Sequence, residues 1–384
     1  MTGAHLLVVG AGGNIGSHLV PHLGRMAAVE RVTLVDGDTY EASNLAGQDV
    51  MARDIGRPKV LVQAARLKAV NPALQVVARR EVVEGLPLGD LRADVILACL
   101  DSRLARLYVN EAAWRLGIPW IDAGVEGSRL LARVNVYRPG SQAPCLECAW
   151  DEHDYAALEA RYPCGNGSGR TPTNAPSSLG ALAAALQAIE CQKVLGDARG
   201  SSLAGGQLLV DLAHQKQYVT TFRRSASCRL VDHEPWAIQA LAAGPRGLTA
   251  AAAFGLAGAG GACGVGVAGT RVSRRRVCER CGFEQGGVRF IHPSRVPPCC
   301  RRCSGRLTSP GADVTEELTP EMVRGRASSR SLAGFGVRPH DVLVVRTREG
   351  EAHFEVAGEA ASVGPADQPG PSSTRYPLPG GSHR

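Results

Sequence analysis

The sequence predicts an α/β fold, a doubly wound and mostly parallel sheet with an antiparallel extension, plus a small C-terminal zinc-ribbon/β module. Three observations carry that expectation. Residues 5 to 140 alternate short β-branched runs with helical patterns, as a parallel sheet covered by crossover helices requires. A glycine-rich turn joins the first strand to the first helix. Far along the chain, Cys278-Glu279-Arg280-Cys281 and Cys300-Arg301-Arg302-Cys303 form two knuckles separated by 18 residues, the spacing of a zinc ribbon.

The strands are expected near Leu6 to Val9, Val32 to Val35, Leu74 to Val77, Val95 to Leu100 and Ile118 to Ile121. Between them Val60, Leu61, Ala64, Leu67 and Val70 recur at helical spacing before the Asn71-Pro72 stop, and Leu104, Tyr108, Ala112 and Leu116 do so before Gly117. After Arg129 the pattern alternates through Leu131, Arg133, Asn135 and Tyr137, which suits an antiparallel strand. Residues 149 to 176 are polar and rich in Gly, Pro and Thr, and are expected to be a long loop; Ser178 to Leu195 reads as a helix ended by Gly196. The expected domains are 1–236, an Ala/Gly-rich linker over 237–270, the ribbon and β module over 271–357, with a β-like run from Asp341 to Val356, and a disordered tail over 358–384.

At 384 residues, 44% apolar and 21% charged, the composition is that of a soluble globular protein and excludes fibrous and disordered classes. The formal charge of +7 is expected to be spread along the chain, with Arg274, Arg275 and Arg276 as the one tight run, so nucleic acid is not expected as a partner. Lysine is confined to Lys59, Lys68, Lys193 and Lys216, which makes each placement informative. The stretch Met1 to Val9 lacks the charged region and apolar core of a signal peptide. The twelve cysteines are therefore expected to be reduced and cytoplasmic, with the clustered ones binding metal. The uncharged stretch Gly247 to Thr270 is mostly Ala and Gly and lacks the side chains that favour insertion, so no membrane contact is expected.

The first strand runs into Gly10-Ala11-Gly12-Gly13-Asn14-Ile15-Gly16 and then a helix, an arrangement that leaves backbone N–H groups free for phosphate where a Cβ would block the approach. Asp36 closes the second strand twenty residues after Gly16, where a carboxylate accepts hydrogen bonds from ribose hydroxyls. These two features suit NAD as well as ATP. The residues downstream separate the two ligands: Asp36-Gly37-Asp38, then Ser43-Asn44-Leu45-Ala46-Gly47-Gln48, Gly56-Arg57-Pro58-Lys59, and Asp101 closing a later strand.

With these residues the chain, over about residues 4 to 236, resembles the ThiF/MoeB superfamily of ubiquitin-activating-type adenylyltransferases. The resemblance implies a Rossmann-like ATP-binding domain in which Asp36 holds ribose, Asn44 and Lys59 contact the triphosphate, and Asp101 coordinates Mg²⁺; Asp38 belongs to the same signature. Gly47 departs from the pattern, standing where the family has a phosphate-binding arginine, and Arg53, Arg57 and Arg106 are the candidates to replace it. Relatives offer a thiol to the activated acyl group from the region of Cys164, which makes that residue the candidate nucleophile, with an incidental loop cysteine or an alternative zinc ligand as the other readings.

Cys145 and Cys148 form a zinc half-site. The family completes it with a second pair after the Ala-rich helix and a last strand, which implies Cys228 and His233 here. Cys278, Cys281, Cys300 and Cys303 are the expected ribbon ligands; the adjacent Cys299 is expected to stand outside the cluster and leaves the register open. Cys99 and Cys191 fall on apolar elements and are expected to pack. The implied function is ATP-dependent adenylylation of the C-terminal carboxylate of a ubiquitin-like protein, with Zn²⁺ as structural metal, a homodimeric state, and a conjugating enzyme or a sulfur-transfer pathway downstream. An NAD-dependent oxidoreductase and a pseudoenzyme that binds a ubiquitin-like partner are the alternatives.

Overall fold

Runs of Val, Leu and Ile form the centre of the molecule, in a computed structural model that describes residues 3–159, 175–196, 203–230, 232–258, 261–292 and 297–358. Strands β1 (Ala4–Val9), β2 (Val29–Val35), β3 (Gln75–Arg79), β4 (Val95–Ala98) and β5 (Trp120–Glu126) pair in parallel. Strands β6 (Leu131–Tyr137), β7 (Gly206–Asp211) and β8 (Lys216–Thr221) continue the sheet antiparallel. The order is β3-β2-β1-β4-β5-β6-β7-β8. Every residue of β4 is buried, as a strand covered on both faces requires, whereas every residue of the edge strand β8 is exposed.

The helices of this part are α1 (Gly16–Leu23), α2 (Lys59–Val70), α3 (Arg103–Leu116), α4 (Glu152–Glu159) and α5 (Ser177–Leu195). Leu19, Leu23, Val60, Leu67, Ala183 and Ala184 bring α1, α2 and α5 onto one face of the sheet. The small residues of α5 let it lie close against β5 and β6. On the other face α3 buries Val109 and Trp114 beside Trp120 and Tyr137, whose rings stack 4.7 Å apart. Ser102 starts α3 by accepting the Ala105 N–H, and Gly117 ends it in the left-handed region at φ +68°, a conformation that favours glycine.

Two elements differ from expectation. Within the stretch expected as a loop, α4 forms because Asp151 accepts the N–H groups of His153 and Asp154, a side-chain cap that outweighs the polar composition. The stretch 237–270, expected as a linker, holds β9 (Ile238–Ala240), α6 (Ala250–Gly255) and β10 (Gly264–Val267).

Beyond it lie β11 (Arg271–Cys278), β12 (Glu284–Ile291), β13 (Leu307–Thr308), β14 (Val314–Thr315), β15 (Val342–Arg346) and β16 (Glu351–Glu355). One sheet has the order β10-β15-β16-β9, while β11 pairs with β12, β13 and β14 in the ribbon. The alternating Gly264-Val265-Gly266-Val267 puts Val265 and Val267 into a third core with Leu332, Phe335, Leu343 and Val345.

This module sits directly on the sheet domain. The Gly89 N–H donates to the His340 carbonyl at 3.0 Å, Arg92 pairs with Glu355 at 2.6 Å, and Arg338 donates to the Gly85 carbonyl at 2.8 Å. Trp236 stacks on His353 at 3.9 Å.

Candidate functional site

A cavity of about 800 Å³ opens at the C-terminal ends of β1, β2, β4 and β5, where the strand order reverses between β1 and β4 and α/β sheets bind their ligands. Gly10 and Gly13 of the glycine turn line it, with Asn14, Asp36, Asp38, Lys59 and Asp101. Gly12 and Gly16 lie beneath. A Cβ on Gly12 would meet the Lys59 Cβ at 2.4 Å, and one on Gly16 would meet the Gly10 carbonyl at 2.2 Å. Gly10 itself has φ +76° and backs onto the Cys99 carbonyl, which a Cβ would meet at 2.5 Å. The turn is thus glycine-rich for two reasons, to open a cradle and to let Lys59 cross behind it.

Asp36 is buried. It accepts the Gly12 N–H at 2.8 Å and the Asp38 N–H at 3.0 Å. Burial pushes its carboxyl above the usual range, against the opposing pull of those two N–H groups and of Lys59. Lys59 is buried too, with Nζ 3.6 Å from Asp38 and over the Tyr40 ring. A cation, a cradle and a carboxylate at one mouth suit a nucleotide, with charge on the phosphate side and an acceptor on the sugar side.

Asn44 is not among the lining residues. Its side chain accepts the Glu41 N–H at 2.9 Å and so caps the 3-10 turn Ala42–Ala46. Gly47 sits in a close corner: the Asn14 amide donates to its carbonyl, and a Cβ there would stand 3.1 Å from the Ala175 carbonyl and 3.4 Å from Asn14. Of the three arginines considered as replacements, Arg106 lines the cavity. Arg57 pairs with Asp54 at 2.7 Å, and Arg53 is exposed.

Sequence reasoning missed the arrangement that holds Arg106. Asp122, fully buried on β5, takes Arg106 at 2.8 Å on one oxygen and Arg133 of β6 at 2.8 Å on the other, and both guanidiniums reach the cavity. Arg133 also donates to Asn135 at 2.8 Å and lies over Gly124, where a Cβ would meet its Nε at 2.9 Å. The available signal was a lone carboxylate inside the apolar run Trp120-Ile121-Asp122-Ala123. Asp122→Ala is expected to destabilise the fold toward the low end of the roughly 3–5 kcal/mol seen when one member of a buried ion pair is removed. The low end applies because both arginines reach solvent. Chemical denaturation measures it.

Two cysteine clusters form candidate metal centres. In the first, Cys145 Sγ lies 3.9 Å from Cys148 Sγ and 3.5 Å from Cys228 Sγ, and His233 Nε2 lies 3.7 Å from Cys148 and 3.3 Å from Cys228. A tetrahedral Zn²⁺ with thiolates at about 2.3 Å needs ligand atoms about 3.8 Å apart, so the donors fit. His233 is fully buried, and its Nδ1 donates to the Ala143 carbonyl at 2.9 Å, which leaves Nε2 for a metal. Burial and the neighbouring thiols push the Cys145 thiol up, an environment that a cation reverses.

In the second, Cys278, Cys281, Cys300 and Cys303 bring their sulfurs within 4.8 Å of one another. Cys299 is exposed and outside the cluster. Cys99 and Cys191 are buried in the core of the sheet domain, where the Cys99 thiol donates to the Gln187 amide oxygen at 3.2 Å. Cys164 lies outside the described residues.

The family model described as the ThiF family matches residues 1–230. The chain is 30% identical over 229 residues to the sulfur carrier protein ThiS adenylyltransferase of Escherichia coli, covering 59% of this chain and 84% of that one. It is 32% identical over 243 residues to the sulfur carrier protein adenylyltransferase of Thermus thermophilus, with shares of 60% and 83%. With the adenylyltransferase and sulfurtransferase MOCS3 of Bos taurus it shares 31% over 241 residues, 61% of this chain but 50% of the relative. Among solved structures, Escherichia coli MccB with ATP is 23% identical, with 59% of this chain and 65% of that one covered at a TM-score of 0.49.

Proposed function

The chain belongs to the ThiF family, and from that premise we propose that it uses MgATP to adenylylate the C-terminal carboxylate of a small ubiquitin-like or sulfur-carrier protein. The observation that carries this reading is the convergence of the glycine turn, Asp36, Lys59 and Asp101 on one cavity. In the reaction a carboxylate oxygen of the partner bonds to the α-phosphorus of ATP, and the bond from that phosphorus to the bridging oxygen breaks. Acyl-adenylate and pyrophosphate result. Asp36 accepts ribose hydroxyls, Lys59 offsets charge on the phosphates, and Asp101 is the carboxylate that would hold Mg²⁺, whose role is to neutralise charge as pyrophosphate leaves. Asn44, capping a turn outside the lining, would reach a phosphate only if that turn moves.

A thioester step at Cys164 would follow if its thiolate bonds to the acyl carbon and AMP departs. Cys164→Ala is then expected to leave exchange intact and to abolish a reducible complex with the partner. Whether the acyl group goes on to sulfur transfer or to a conjugating enzyme, we place it in the cytoplasm and on a homodimer. Among the described residues no helix is long and apolar enough to cross a membrane.

The test is ATP–pyrophosphate exchange in the presence of candidate small carrier proteins, with binding of ATP and of NAD compared alongside. Exchange that depends on a carrier supports the reading. Binding of NAD in preference to ATP would favour an oxidoreductase. Gly47 favours a second reading, a pseudoenzyme that binds the carrier without activating it, and carrier binding with no exchange would identify it.

A further inference from the structure

The chain's positive charge is not spread along its length. Residues 271–308 hold ten arginines, no lysine and only Glu279 and Glu284 as acids, a surplus that exceeds the +7 of the whole chain. Everything outside this segment is therefore close to neutral. The segment is the ribbon, and a Zn²⁺ with four thiolates would return only two negative charges to it.

Carboxylates answer few of these guanidiniums. Among the described arginines of the ribbon, only Arg271, 3.3 Å from Glu316, and Arg275, 2.8 Å from Glu284 and 2.9 Å from Asp313, form ion pairs. Arg274 donates to the Ala312 carbonyl and Arg276 to the Gln285 amide oxygen. Burial and the nearby Arg289 charge hold the Arg276 guanidinium below its ordinary value. At the tip, Arg301 and Arg302 lie 5.0 and 4.3 Å from the centre of the Phe283 ring, so one ring carries two exposed cations side by side.

We propose that the ribbon binds the phosphate backbone of nucleic acid without reading base sequence, contrary to the expectation from the chain as a whole. An acidic protein surface fits less well. Protein interfaces centre on apolar or aromatic side chains, and among the described residues none of the large exposed hydrophobic ones falls within 271–308. The one candidate, Phe283, lies under its arginines. Planar guanidinium forks match phosphate oxygens in pairs, and with Phe283 already engaged by Arg301 and Arg302, contacts go to the backbone. The ribbon lies beyond the matched residues 1–230, so this activity stands apart from adenylylation.

The test uses the full-length, zinc-loaded protein and fluorescein-labelled duplex DNA and single-stranded RNA of about 20 nucleotides, followed by anisotropy from about 50 to 200 mM salt. Binding should weaken steeply with salt and be indifferent to sequence. R301Q/R302Q/R306Q should lower affinity about tenfold or more and flatten the salt slope by roughly one contact for each phosphate lost. If that variant loses zinc, R274Q/R289Q, farther from the knuckles, decides in its place. Zinc content and ATP–pyrophosphate exchange should be unchanged in the variant used. No binding at the lowest salt, binding unaltered in the variant, or tighter binding of labelled polyglutamate than of either nucleic acid would overturn the proposal.

Discussion

Lys59→Ala and Asp101→Ala are each expected to lower carrier-dependent ATP–pyrophosphate exchange by roughly 10²–10³, the order of loss when one preorganised group that stabilises developing charge is removed. The two should differ in binding. Lys59 is buried and crosses behind Gly12, so its loss removes a cation that acts before and during the reaction and should weaken ATP itself. Asp101 is exposed at the mouth, so its loss should weaken ATP mainly when Mg²⁺ is present. Titrating a fluorescent ATP analogue with and without Mg²⁺ separates the two, and a thermal melt shows whether either variant is merely unfolded. Full-rate exchange in both would remove the basis for reading the site as an adenylylation centre.

Metal analysis of the purified protein is expected to find about two zinc ions per chain, one for each four-ligand cluster. Cys145→Ser should bring that to about one. It should also loosen the C-terminal module, because the strap that carries Cys228 and His233, with Asp232 between them paired to Arg115 at 2.6 Å, continues to Trp236 against His353. Apparent binding energies of roughly 10–16 kcal/mol for a structural zinc make this the largest single stabilisation available to that strap. Limited proteolysis should therefore cut first within 232–258 in Cys145→Ser, whereas Cys278→Ser should lose the other zinc and keep ATP binding. A wild-type protein with one zinc would eliminate one of the two centres.

What the sequence made legible was whatever is local. The glycine turn, Asp36 at a strand end, the Cys-x2-Cys pairs and the stop of α3 at Gly117 each depend on a few neighbouring residues, and each reads off directly. The Asp122 pair with Arg106 and Arg133 does not, because it needs the β5–β6 register that sets Gly124 opposite Arg133 and Asp122 opposite Asn135. Asn44 shows the opposite limit. Its motif was plain, but a motif does not say which way a side chain turns, and here it bonds back to Glu41. The ribbon register was open because Cys299 and Cys300 are adjacent; the fold closes it, since the sulfur of Cys300 and not that of Cys299 joins Cys278, Cys281 and Cys303. The hairpin of β7 and β8 escaped notice because β8 is exposed along its whole length, so no buried face marks it as a strand.

The pairing of β9 with β16, Ile238 opposite His353, sets an order of birth on the ribosome. All eight strands of the large sheet have been made by residue 221, and that domain can close while the rest is still being translated. Strand β9 then waits, its partner still unmade, for a loop on the order of a hundred residues to be spun out and closed. The ribbon lies inside that loop, and a zinc held by its four cysteines would shorten the span that must be searched. Until β16 arrives, the face of Trp236 that meets His353 lacks its partner, and that ring stands open while the last third of the chain is made.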